Sequence, residues 1–145
     1  MKLDVKSRTQ TETKLTYSGF ILSWFCFLFF VYKVNSPRRT ISAIALVAFC
    51  LAAVYVIVIG FVMRKKLFKQ STETISGNPE KALHLWKAAN VVGWCCAMNL
   101  NVFGVVLKFL GGSWLVLGIF FVMSLGFLLL WRPRPLPVNG VRPLV

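Results

Sequence analysis

The charged residues of the chain fall into clusters separated by long uncharged runs. Eighteen uncharged residues lie between Lys14 and Lys33, 24 between Arg39 and Arg64, 20 between Lys87 and Lys108, and 23 between Lys108 and Arg132. Each run reaches the roughly 17–25 residues that a helix needs to cross a hydrocarbon layer. The second run, with its IALVAFCLAAVYVIVIGFV, would suggest a strand in water. In lipid an open strand leaves backbone groups without partners, so that constraint outweighs β-propensity and predicts helices throughout. The expected elements are helices over about 15–34, 40–63, 79–108 and 112–131, a flexible loop over 66–78 and an extended tail over 132–145. The expected fold is therefore all-α: one membrane domain over 1–145, an antiparallel bundle of four transmembrane helices.

Asn78 followed by Pro79, with Glu80 in the first turn, is a start signal for the third helix, which predicts a cytoplasmic extension before it enters lipid. His84 falls on that extension. Lys and Arg set the orientation. With both termini on one side, that side carries 13 basic residues, including the six from Arg64 to Lys87, against four on the other: Lys33, Arg38, Arg39 and Lys108. Both termini are thus expected in the cytoplasm. Tyr17, Trp86 and Trp131 are expected near the inner interface and Tyr32 and Trp114 near the outer one, while Trp24 and Trp94 lie deeper and read as packing residues.

The third helix carries a stripe. Asn90, Gly93, Ala97, Asn101, Gly104 and Lys108 recur at helical spacing along one edge, which is small and polar over its whole length. Small residues admit close approach of another helix, and an Asn amide inside lipid needs partners for its donors and its acceptor. This edge is expected to be a helix seam or one wall of a polar crevice. Asn99 points nearly the other way, and Lys108 is long enough to snorkel to the outer interface. Weaker small-residue seams are expected at Gly19, Ser23 and Cys26 on the first helix, and at Ala48, Ala52 and Gly60 on the second.

Composition then excludes whole classes. Apolar residues make up 57% and charged residues 14% of the 145, too apolar for a small water-soluble domain to bury. The acids are Asp4, Glu12, Glu73 and Glu80, none inside an expected span, so no intramembrane carboxylate is present for proton coupling. One His and no H-E-x-x-H motif leave no metal site, and no cofactor is expected. Cys95 and Cys96 are adjacent rather than C-x-x-C, and with Cys26 and Cys50 they sit in apolar runs, which favours packing over thiol exchange. The formal charge of +13 borders the apolar spans instead of forming a basic domain, which argues against nucleic acid. Arg64, Lys65, Lys66 and Lys69, following the second span, are expected to contact anionic lipid headgroups. The Arg-Pro-Arg-Pro-Leu-Pro tail reads as an extended docking strip. Abundant seam residues without a catalytic constellation suggest a noncatalytic accessory or scaffold subunit of a larger membrane complex. The alternative is a small homo-oligomeric transporter or channel using the polar stripe. The expected partners are membrane lipids and other membrane subunits or further copies of the chain.

Overall fold

The computed structural model describes the backbone of residues 2–33 and 41–133, and side chains from Arg8 to Tyr32 and from Ile41 to Pro133. The expectations for the first connection and for the tail beyond Pro133 lie outside the described residues. The chain forms four helices: α1 (Lys2–Lys33), α2 (Ala43–Thr74), α3 (Pro79–Phe109) and α4 (Trp114–Leu130). Three of them are long and apolar enough to cross a membrane; α4 is an apolar helix of 17 residues.

The helix ends follow from local chemistry. Asn78 caps α3 by accepting from the Lys81 backbone N–H at 3.0 Å, with Pro79 in the first turn where its missing N–H costs nothing. Ser113 caps α4 by accepting from Val116 N–H at 3.3 Å. Between them α3 stops at Gly111, whose φ of 98° is left-handed, while Gly112 N–H donates to the Leu107 carbonyl at 2.8 Å. A Cβ at Gly112 would lie 2.7 Å from that same carbonyl oxygen, so the tight α3–α4 turn requires glycine there.

Two helices run further than the hydropathy pattern implies. The supposed loop is helical as far as Thr74, and the real connection is the short turn 75–78. Arg64 to Gln70 are mostly good helix formers, Lys69 and Glu73 pair one turn apart at 3.7 Å, and buried Ser71 donates to the Ala82 carbonyl at 2.7 Å. That last bond clasps α2 to α3 beyond the apolar spans. The N-terminal tail is likewise helical from Lys2, and its Glu12 meets Lys87 of α3 at 3.0 Å.

α3 is the hub. It packs along α2 and along α4, and α1 lies against α3 and α4, whereas α1 and α2 do not touch among the described residues. Pairs such as Ser71–Ala82 and Phe49–Phe103 make α2 and α3 antiparallel; Trp94–Trp131 and Gly104–Phe120 do the same for α3 and α4. One apolar cluster joins Trp24 and Val31 of α1 to Trp94, Phe121 and Leu128; a second joins Ala53 of α2 to Leu100, Leu107 and Phe120.

The small-residue edges of the outer helices differ from expectation. Gly19 and Cys26 are exposed, and α1 packs instead through larger groups, Thr13, Trp24 and Val31. On α2 the buried positions are Ala53, Gly60, Arg64 and Ser71, while Ala48 is exposed. Trp86 and Trp131, expected at an interface, are buried inside the bundle. Tyr32 and Trp114 are exposed.

Candidate functional site

The stripe of α3 is turned into the protein. Asn90, Gly93, Ala97, Asn101 and Gly104 are all buried, the two asparagines at 0% exposure, and Lys108 is half-buried at the far end. Asn99 is exposed and its amide donates to the Cys95 carbonyl of its own helix at 3.1 Å. The edge does not form one continuous site: it divides into a polar and aromatic knot around Asn90 and Gly93, an isolated amide at Asn101, a close backbone seam at Gly104 and a cation at Lys108.

The knot is the most elaborate of these. The Arg64 guanidinium, on a residue only 6% exposed, donates to Asn90 Oδ1 at 3.5 Å and to the Trp131 carbonyl at 3.4 Å. Trp94 Nε1 donates to that same carbonyl at 2.8 Å, and the Asn90 amide donates to the Trp86 carbonyl at 3.0 Å. Arg64 also lies against aromatic faces, its Cζ 5.0 Å from the Phe68 ring centre and 5.8 Å from that of Trp131. Tyr17 closes the α1 side, its hydroxyl donating to the Leu128 carbonyl at 3.1 Å and its ring 5.3 Å from Trp94.

Glycine makes the knot possible. A Cβ at Gly93 would lie 3.2 Å from both Arg64 Cδ and the Trp131 ring, and one at Gly60 would lie 3.0 Å from the same ring and from Cys96 Cβ. The carbonyl of Trp131 ends α4 and has no partner further along its own helix, so Arg64 and Trp94 satisfy a group that a helix C-terminus leaves open. A cation there also faces the negative end of the helix dipole.

Arg64, grouped in the sequence with Lys65, Lys66 and Lys69, is thus turned inward, while those three lysines are exposed. Its role could have been read from spacing: Ala53, Gly60, Arg64 and Ser71 recur at seven, four and seven residues, one face of α2. The apolar span ends at Arg64, but the packed face does not.

Further along, Asn101 Nδ2 donates weakly to Met98 Sδ at 3.6 Å, and its Oδ1 is buried without a hydrogen-bond partner. The antiparallel register places Ser124 of α4, whose buried hydroxyl also lacks a partner, opposite this amide. Gly104 then brings the backbones of α3 and α4 together, a Cβ there falling 2.9 Å from Phe120 Cβ. At the α3–α4 turn, Lys108 Nζ donates to the Gly112 carbonyl at 3.3 Å and sits 4.3 Å from the Trp114 ring centre.

Among the described residues no three His, Cys, Asp or Glu side chains gather in a metal-binding arrangement. His84 is exposed, and all four cysteines are free thiols. Glu12, held below its ordinary value by the hydrogen bond and charge of Lys87, serves as a tie between α1 and α3. No family model, curated protein or solved structure matches the chain.

Proposed function

We propose that this protein is a noncatalytic accessory or scaffold subunit of a larger membrane assembly. It spans the bilayer four times with both termini in the cytoplasm. The observation that carries this reading is the closed edge of α3. Asn90 and Asn101 are fully buried, and Arg64, Trp131 and Phe120 fill the space beside Gly93 and Gly104. On this reading the polar groups serve to hold helices together, with the space beside the two glycines taken by those side chains.

The fourth span rests on α4, whose 17 apolar residues extend about 25 Å at 1.5 Å per residue. It runs beside α3 between the Gly104 seam and the Trp131 knot. The orientation rests on the bias of Lys and Arg, since α2 and α3 carry their helical extensions and basic residues at the same end. Exposed Lys65, Lys66 and Lys69 on that end are placed to meet anionic headgroups.

Purification in mild detergent followed by native mass spectrometry tests the role. A different membrane chain at fixed stoichiometry, with no solute flux in liposomes, is the expected result. A homo-oligomer that conducts an ion or small solute would overturn it. Cysteines introduced into a Cys-free background test the topology: Ser113→Cys should react with an impermeant reagent from outside, and Ser76→Cys only after permeabilisation.

A further inference from the structure

At the end of the bundle opposite the Arg64 knot, side chains of α1 and α4 face one another. Between them lies an open groove of about 650 Å³, lined by Phe25, Phe29 and Tyr32 of α1 and by Trp114, Gly118 and Phe121 of α4. Gly118 forms open floor, since a Cβ there would meet nothing within 4 Å. The walls are mostly aromatic and aliphatic, shaped for a hydrocarbon chain.

The rim carries the chemistry that selects an occupant. Lys108 Nζ is 4.3 Å from the ring centre of Trp114, so a cation stands directly on a lining residue of the groove. The Gly112 carbonyl takes one of its three donors. Among the described residues no carboxylate lies there. Asp and Glu are absent between Glu12 and Glu73 and again after Glu80. Glu12 and Glu73 pair with Lys87 and Lys69 at the other end of the bundle. Glu80 opens α3 28 residues before Lys108, about 42 Å away along the helix. Among the described residues Lys108 has no acidic partner, and it stands next to an apolar groove.

We infer that the α1–α4 groove and Lys108 together form a binding site for a phospholipid with an anionic headgroup. Its acyl chain lies between Phe25 and Phe29 on one side and Trp114 and Gly118 on the other, with the headgroup phosphate on Lys108 Nζ. The site is distinct from the lysine cluster after α2 and lies in the opposite leaflet. It rests on the reading of α4 as a membrane span.

The tryptophans provide the probe. Trp114 is 53% exposed, whereas Trp24, Trp86, Trp94 and Trp131 are 7% exposed or less, so quenching by lipids brominated on the acyl chain reports chiefly on Trp114. The full-length protein in phosphatidylcholine bilayers is exposed to brominated phosphatidylglycerol or to equally brominated phosphatidylcholine. The anionic lipid should be preferred by about fivefold, the worth of one basic side chain at an anionic headgroup. Lys108→Gln should abolish the preference while the protein stays folded, and Gly118→Leu, which fills the floor, should weaken quenching by both lipids. Equal quenching of the unaltered protein by the two lipids would mark ordinary boundary lipid and overturn the site while leaving the fourth span intact. A preference that survives Lys108→Gln, or full quenching in Gly118→Leu, would also overturn it. Quenching by neither lipid would overturn the site and the fourth span together.

Discussion

α2 and α3 are 32 and 31 residues long, lie side by side and differ in what they bury. α2 is the more apolar, yet its side chains Ile44, Val47, Leu51, Val54, Tyr55 and Val58 are all exposed. α3 carries the asparagines, the glycines and two tryptophans, and half of its apolar window is buried. In water the ranking would be reversed. A lipid-facing Leu or Val gains nothing by moving inward, because the surroundings are as apolar as the core. A small or polar residue gains close packing or a hydrogen-bond partner, so those residues select the interior. The hub of the bundle therefore has the least apolar span of its three long helices.

Substitutions at matched positions test this contrast. The largest effect is expected at Gly104, where a side chain would collide with Phe120 Cβ at 2.9 Å. Gly104→Leu should lower unfolding stability in detergent by about 3 kcal/mol, the upper end of overpacking costs. Gly126→Leu, on the open side of α4 with nothing within 4 Å, should leave it unchanged. Equal losses at the two glycines would break the distinction between interior and lipid-facing helix surfaces.

Arg64 comes next. Arg64→Ala removes its hydrogen bonds to Asn90 and the Trp131 carbonyl and should cost about 2 kcal/mol. Lys65→Ala, at the exposed neighbouring position, should be nearly silent. A Trp emission spectrum gives a separate readout, because loosening the knot admits water to Trp131 and Trp94, and a red shift in Arg64→Ala alone is expected.

Asn101 sharpens the comparison from the other direction. Its Oδ1 has no hydrogen-bond partner and its amide meets only a thioether, so little polar stabilisation is lost with it. Asn101→Leu, which keeps the branching at Cγ but is bulkier, should cost no more than about 1–2 kcal/mol in thermal unfolding. A much larger loss would mean that Asn101 and Ser124 form a stronger polar link across the α3–α4 seam.

The smallest effect concerns the tie between α1 and α3. Lys87 lowers the Glu12 carboxyl below its ordinary value of 4.5, so the folded protein favours the ionised form. The resulting stabilisation is present above that ordinary value and is lost as pH falls through the lower, folded one. The Glu12 side chain is 45% exposed at this contact, so screening keeps the effect small. Thermal unfolding against pH should show a slight acid-side loss that Glu12→Gln removes, and a higher salt concentration should diminish it.

The linear pattern of charges and apolar runs was enough to determine the helical class, the cap at Asn78, and the edge of α3 made of Asn90, Gly93, Ala97, Asn101 and Gly104. Those features depend on backbone satisfaction in lipid and on interactions within a few residues, which spacing records directly. It did not reveal that α2 persists to Thr74, because hydropathy marks the end of an apolar run and not the end of a helix. Nor did it reveal that Arg64 leaves its lysine neighbours to join Trp131, or that Trp86 and Trp131 are core residues. These outcomes required α4 to end beside Gly60 and Gly93, where an open helix carbonyl, a ring and a guanidinium fit into space that two distant glycines leave free. The groove beside Gly118 had the same origin: the small residue was visible in the chain, but only the placement of α1 beside α4 made it the floor of a groove. Composition decides which residues prefer the interior of a membrane bundle; the register and splay of the helices decide which of them meet.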